Sequence, residues 1–179
     1  MNGYRNEVGS LMAHDLGDLD ISGLRVLVVD DDKVTRHLVS SILDGIGVED
    51  VQVEASGQAA LDLISRHPMD LVISDFEMEP MNGLEFALHV RRDSNSTNPY
   101  VPIIMMTAHA DRPTVMKARD AGVNAFVAKP VSPKALEEKI HVVLTEHRKF
   151  VRSNRYVGPD RRRRDVPLAR DGRRKNVDE

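Results

Sequence analysis

Five short runs of β-branched and aliphatic residues, each followed by apolar residues at helical spacing, set what this 179-residue chain can fold into. Arg25-Val26-Leu27-Val28-Val29 leads into Val34, Leu38, Ile42 and Ile46, and Gly45 and Gly47 close that segment. Val51–Val53 precedes a helix over Ala59–Ile64, and Leu71–Ile73 precedes one over Leu84–Val90. Ile103–Met106 is followed by a helix that Asp111 caps, with Pro113 in its first turn. Ala125–Ala128 is followed by a helix opened by Ser132-Pro133, with Leu136, Ile140, Val143, Leu144 and His147 on one face. Strands without polar alternation are buried on both faces, and the intervening helices supply the crossovers that parallel strands need. The expected fold is α/β: an open, doubly wound parallel sheet with helices on both sides.

Such sheets carry their sites at the carboxyl ends of the strands. Here the first strand ends in Asp30-Asp31-Asp32, the third at Asp75, the fourth at Thr107 and the fifth at Lys129-Pro130. Carboxylates that converge at one edge repel one another unless a cation neutralises them. The chain has no Cys, and a set of oxygen ligands favours Mg²⁺ or Mn²⁺, leaving room for phosphate oxygens. Thr107 offers a hydroxyl and Lys129 a point charge, both suited to phosphoryl oxygens. An Asp carboxylate can itself be the nucleophile, and Asp75 is the best placed, with acids before it and the hydroxyl and ammonium after it.

The stretches VLVVDDDKVTR, DLVISDFEMEPMNGLEF, VPIIMMTAHAD and AGVNAFVAKPVSP carry a resemblance. Residues 23–148 resemble the receiver domain of two-component response regulators, with the flavodoxin-like fold of CheY. The resemblance implies strand order 2-1-3-4-5 and Asp75 as phosphoacceptor. It places Mg²⁺ on Asp31, Asp75 and the Glu77 backbone carbonyl, with Asp30 acting through water. It assigns Thr107 and Lys129 to the phosphoryl group and a cis peptide to Lys129-Pro130. The implied donor is a phosphohistidine on a histidine kinase or phosphotransfer protein. Thr107 and Phe126 are the implied switch, reshaping a face of helix 4, strand 5 and helix 5 for a downstream protein. Phe126 stands where the family often has Tyr, so a phenolic hydrogen bond is absent. Glu79 stands where Pro is common, Pro80 follows it, and Gly83 is retained, so this loop is expected to be adjusted rather than broken. Glu77 and His109, which flank the phosphoryl group in this family, are expected to tune its lifetime. Asp32, the third acid of the run, is expected to be a solvated neighbour or a helix-start charge.

By this resemblance the chain is a signalling switch, not an enzyme, catalysing only its own phosphorylation and autodephosphorylation. A haloacid-dehalogenase-like phosphohydrolase uses similar groups. Its first motif, however, has Asp where Glu77 stands, and its paired acids follow the Lys. A pseudo-receiver scaffold that is never phosphorylated is the other alternative, and the intact Asp30, Asp31, Asp75, Thr107 and Lys129 weigh against it.

Charge divides the chain. Residues 1–144 carry 13 Lys+Arg and 22 Asp+Glu, whereas residues 145–179 carry 12 and 6. Residues 1–22 read as a flexible acidic leader, and residues 149–179 as a basic tail, disordered when free. Phe150 and Tyr156 among basic residues resemble a docking peptide, and Arg161–Arg164 follow Gly158-Pro159. Three uses of this tail compete: docking to a protein partner, binding an anionic polymer or lipid surface, and folding back on the acidic receiver. The tail is too short for an ordinary DNA-binding domain, so a stand-alone receiver is expected and direct nucleic-acid binding is not. No apolar run reaches the roughly 18 residues of a membrane span, and the start lacks signal-peptide character, so a cytoplasmic location is expected.

Overall fold

The computed structural model describes residues 19–92, 96, 98–108, 111–145, 150–152 and 156–160. Strands β1 (Arg25–Val29), β2 (Asp50–Glu54), β3 (Leu71–Asp75), β4 (Ile103–Thr107) and β5 (Ala125–Ala128) form one sheet. Helices α1 (Lys33–Gly45), α2 (Gly57–Arg66), α3 (Gly83–Arg92), α4 (Arg112–Asp120) and α5 (Pro133–Thr145) alternate with them. Every pairing in this sheet is parallel and the order is β2-β1-β3-β4-β5. This is the doubly wound α/β arrangement expected from the strand–helix alternation.

Two cores follow from the period of two along each strand. Val26 and Val28 of β1, Leu71 and Ile73 of β3, and Ile104 and Met106 of β4 face Val39, Leu43, Leu136 and Ile140 of α1 and α5. Their neighbours Leu27, Val29, Val72, Ile103 and Met105 face Ala60, Ile64, Phe86, Val90 and Ala118 of α2, α3 and α4. Helix starts are set by side-chain caps, each satisfying amide donors that have no partner within the helix. Asp32 accepts from the Val34 and Thr35 amides at 3.1 and 3.2 Å. Ser56 caps α2 and Asp111 caps α4 in the same way. Asn82 and Glu85 form a reciprocal capping box at the start of α3, at 3.0 and 3.1 Å.

Both expected outer boundaries shift. The flexible leader expected over residues 1–22 stops short of Ile21, which is buried in the same core as Val48, and the Ser22 carbonyl accepts from the Glu49 amide. An apolar side chain that completes a core orders the residues carrying it. The segment expected to be disordered from residue 149 instead contains β6 (Phe150–Arg152) and β7 (Val157–Pro159), which pair as an antiparallel ribbon. The Phe150 ring packs edge-on against Tyr100 and over the Arg91 guanidinium, so this part of the tail folds back on the receiver, one of its three expected uses. Residues 1–18 and 161–179 lie outside the described residues. No helix among the described residues is long and apolar enough to cross a membrane.

Leu136 is fully buried on α5. Leu136→Ala is expected to cost about 2–5 kcal/mol, read as a lower urea midpoint with an unchanged slope.

Candidate phosphoacceptor site

Parallel strands all present their carboxyl ends at one edge, so residues distant in sequence meet there. Asp30 directly follows β1, Asp75 ends β3, Thr107 ends β4 and Lys129 follows β5. Asp30, Asp75 and Thr107 are buried, at 0%, 4% and 1% exposure, whereas Asp31 is exposed. One carboxylate oxygen from each of Asp30, Asp31 and Asp75 lies within 4.8 Å of the others. The Lys129 ammonium donates to Asp30 Oδ2 at 2.9 Å and pairs with Asp75 Oδ1 at 2.9 Å. It thus offsets the repulsion between two buried acids on neighbouring strands.

The backbone holds this arrangement from several sides. Asp30 Oδ1 accepts from the Asp32 amide at 2.8 Å, and the Asp30 carbonyl accepts from the Arg36 guanidinium. Asp75 Oδ1 also accepts from the Phe76 amide at 2.8 Å. The Phe76 amide and the Met106 carbonyl join at 2.9 Å, and the Lys129 amide donates to the Thr107 carbonyl at 2.8 Å. These bonds tie the β3, β4 and β5 ends together. Gly83 donates its amide to the Phe76 carbonyl at 2.9 Å. A Cβ on Gly83 would collide with the Asp75 carbonyl oxygen and stand 3.0 Å from Phe76 Cα. Glycine is therefore required there by close approach. The Lys129–Pro130 bond is cis, as the family resemblance implies, and Glu79–Pro80 is cis as well.

Electrostatics follow from burial. Desolvation pushes the Asp75 carboxyl above its ordinary value and the nearby Asp30 charge adds to this, with the Lys129 hydrogen bond only partly opposing it. Desolvation alone would lower the Lys129 ammonium, but hydrogen bonds to Asp75 and Asp30 outweigh it and raise the net value. Lys129 serves two carboxylates, whereas Asp75 shares its one cation among the described residues with a second acid.

The other expected residues are more scattered. Glu77 is exposed on the loop after β3. Phe126 is half-buried on β5, in register with Met105, and packs against the α2–α4 core. His109 lies outside the described residues. Sequence reasoning passed over Arg36, although an Arg on the first turns of a helix that follows an acidic strand end is a visible signal.

Residues 26–141 match the family profile described as response regulator receiver domain. The chain belongs to the response regulator receiver family. This receiver is similar to chemotaxis protein CheY1 of Helicobacter pylori, 37% identical over 122 residues, or 68% of this chain and 97% of that protein. It is similar to CheY-3 of Vibrio cholerae at 31% over 117 residues, 65% of this chain and 88% of that one. Among solved structures, Vibrio cholerae CheY4 has a TM-score of 0.62 at 31% identity, covering 67% of this receiver and 98% of that chain. The receiver domain of the Arabidopsis thaliana histidine kinase CKI1, complexed with Mg²⁺ and BeF₃⁻, has a TM-score of 0.59 at 27% identity. That likeness covers 67% of this receiver and 91% of the CKI1 chain. The β6–β7 ribbon falls after the stretch matched by the profile.

An acid whose folded pKa is raised stabilises the fold below its unfolded pKa and loses that contribution as pH rises through the folded one. Metal-free receiver at pH 7 therefore carries a deficit at Asp75. Asp75→Asn is expected to raise the melting temperature of the metal-free protein at pH 7. The gain should shrink as pH falls toward carboxylate titration, which thermal unfolding across a pH series would check.

Proposed function

We propose that this receiver accepts a phosphoryl group from a phosphohistidine onto Asp75 and changes conformation to control a protein partner. The observation that carries this reading is the convergence of Asp30, Asp31, Asp75 and Lys129 at one sheet edge, with Thr107 at the adjacent strand end. Asp75 Oδ1 is engaged by the Phe76 amide and Lys129. Oδ2 accepts no hydrogen bond from the described residues, and we assign it as the attacking oxygen. It forms the new bond to phosphorus while the phosphorus–nitrogen bond breaks and its electron pair returns to the donor imidazole. Lys129 and the Thr107 hydroxyl receive the charge spread over the transferred oxygens, which is where preorganised donors contribute most.

The carboxylates of Asp30, Asp31 and Asp75 are the hard-oxygen set that Mg²⁺ or Mn²⁺ takes, with the Glu77 backbone carbonyl completing the protein ligands. When bound, the cation would neutralise charge on the transferring phosphoryl group. The likeness to the CKI1 receiver, crystallised with Mg²⁺ and BeF₃⁻, supports this ligand choice.

The phosphodonor is a histidine kinase or phosphotransfer protein, and the setting is the cytoplasm, where such donors are charged. The only chemistry assigned to the receiver is its own phosphorylation and dephosphorylation. Glu77 and His109 tune how long the phosphoryl group survives. Thr107 and Phe126 relay its presence to the α4–β5–α5 face, and α4 carries the exposed apolar side chain of Met116.

Incubation with acetyl phosphate and Mg²⁺ is expected to add one phosphoryl group per chain by intact-mass measurement, and none to Asp75→Ala. Failure of the wild type to be modified, even with a cognate kinase, would overturn the reading. Mg²⁺ at a hundred times its Kd is expected to stabilise the receiver by about 2.7 kcal/mol. That stabilisation should disappear from the melting curve of the Asp30→Asn, Asp31→Asn double variant. Replacing Glu77 and His109 together should change the dephosphorylation rate; an unchanged rate removes their assigned role.

A further inference from the structure

The β6–β7 ribbon lies against the sheet edge opposite Asp75, where it closes over a buried cation. Arg91, in the last turn of α3, is 3% exposed. Its Nε and Nη2 donate to the Gly122 carbonyl at 3.2 and 2.9 Å, Nη1 to the Pro99 carbonyl at 3.0 Å, and Nη2 to Asn124 Oδ1 at 3.2 Å. Asn124 Oδ1 also accepts from the Ile103 amide at 3.0 Å. One guanidinium thus ties α3 to the turn between α4 and β5 and to the first residue of β4. Its planar fork of donors suits such multiple contacts. Burial lowers Arg91 to about 9, against the favourable influence of Tyr156.

The ribbon seals this network. The Phe150 ring centroid sits 5.3 Å from the guanidinium carbon, within cation–π range, and 5.2 Å from the Tyr100 ring. Gly122, at a φ of 89°, has no room for a side chain. A Cβ there would stand 2.6 Å from the Val157 carbonyl oxygen. A Cβ on Gly158 would stand 2.8 Å from Gly122 Cα and 2.5 Å from Tyr156 Oη. Tyr156 Oη in turn donates to the Pro159 carbonyl at 2.7 Å, closing the ribbon on itself.

We propose that the ribbon is a latch on the α4–β5 turn, and that its docking is linked to the state of Asp75. The proposal rests on the phosphoacceptor reading above. β4 and β5 are paired from Ile104↔Ala125 to Thr107↔Ala128, so the clamped starts of these strands are continuous with the ends bearing Thr107 and Lys129. Lys129 spans Asp30 and Asp75 while the ribbon is docked. A phosphoryl group on Asp75 brings new oxygens to Lys129 and Thr107, and any shift of their strands is opposed by the clamp at the far ends. Linkage is reciprocal: whatever the docked ribbon costs phosphoryl-analogue binding, the analogue must cost ribbon docking.

The test uses the full chain, with beryllofluoride and Mg²⁺ as the phosphoryl analogue. Hydrogen exchange over residues 150–159 and 121–125 and a calorimetric titration are compared for wild type, Gly158→Ala and Phe150→Ala. Two variants are used because one acts by clash and the other by loss of the ring, so a folding defect in either leaves the second. Each variant is expected to speed ribbon exchange and to tighten beryllofluoride binding about fivefold or more, the lower end of usual coupling factors. Beryllofluoride should speed ribbon exchange in the wild type by a matching factor. Faster ribbon exchange in the variants with unchanged or weaker beryllofluoride binding overturns the latch. Saturable beryllofluoride binding with an indifferent wild-type ribbon overturns the latch alone, whereas no binding at all sinks the phosphoacceptor reading with it.

Discussion

Two carboxylates buried side by side at the ends of neighbouring strands are the condition around which the rest of this receiver is arranged. Asp30 and Asp75 follow or end β1 and β3, and both are almost withdrawn from solvent. Like charges so placed are tolerated only with compensation. Lys129 supplies it from just beyond β5, reaching both acids at 2.9 Å. The amides of Asp32 and Phe76 add short donors. One ammonium and two backbone amides thus share the balance of two buried acids, so any further charge brought to this edge acts on the same groups.

The sheet makes that balance attainable. Crossover helices keep all five strands parallel, so their carboxyl ends share one edge and their amino ends the other. Chemistry gathers at the first edge. At the second, Arg91 joins α3, the start of β4 and the α4–β5 turn, and the C-terminal ribbon covers it. A receiver cut at residue 148 would leave that guanidinium without its aromatic cover. The described secondary structure extends beyond that point, to β7 at Val157–Pro159.

Much of this was legible beforehand because it rests on local patterns. Apolar runs ending in Asp30, Asp75, Thr107 and Lys129 announced both the strands and the edge on which they would meet. Asp32 read as either a solvated neighbour or a helix-start charge, and it stands as the α1 cap. The loop after Asp75 read as adjusted, and it closes through Gly83 against the Asp75 carbonyl. That the tail could fold back on the receiver was one of three readings its charge allowed, but the ribbon itself was not legible, since Phe150 and Tyr156 lie among basic residues whose composition suggests solvation. Nothing in that stretch names Tyr100 or Arg91 as their partners. Ile21 was missed for the same reason: its contacts are distant in sequence and its neighbours polar.

The sequence by itself determined the fold class, the strand order through its family likeness, and the identity of the groups at each strand end. Those follow from periodicity and from the fixed geometry of parallel crossovers, which are local or topological properties. Only the tertiary structure decided that one ammonium bridges Asp30 and Asp75, that burial raises the Asp75 carboxyl, and that the ribbon closes over Arg91. Distances of a few ångströms and the exclusion of water control these features, and both arise only when segments far apart in the chain pack together.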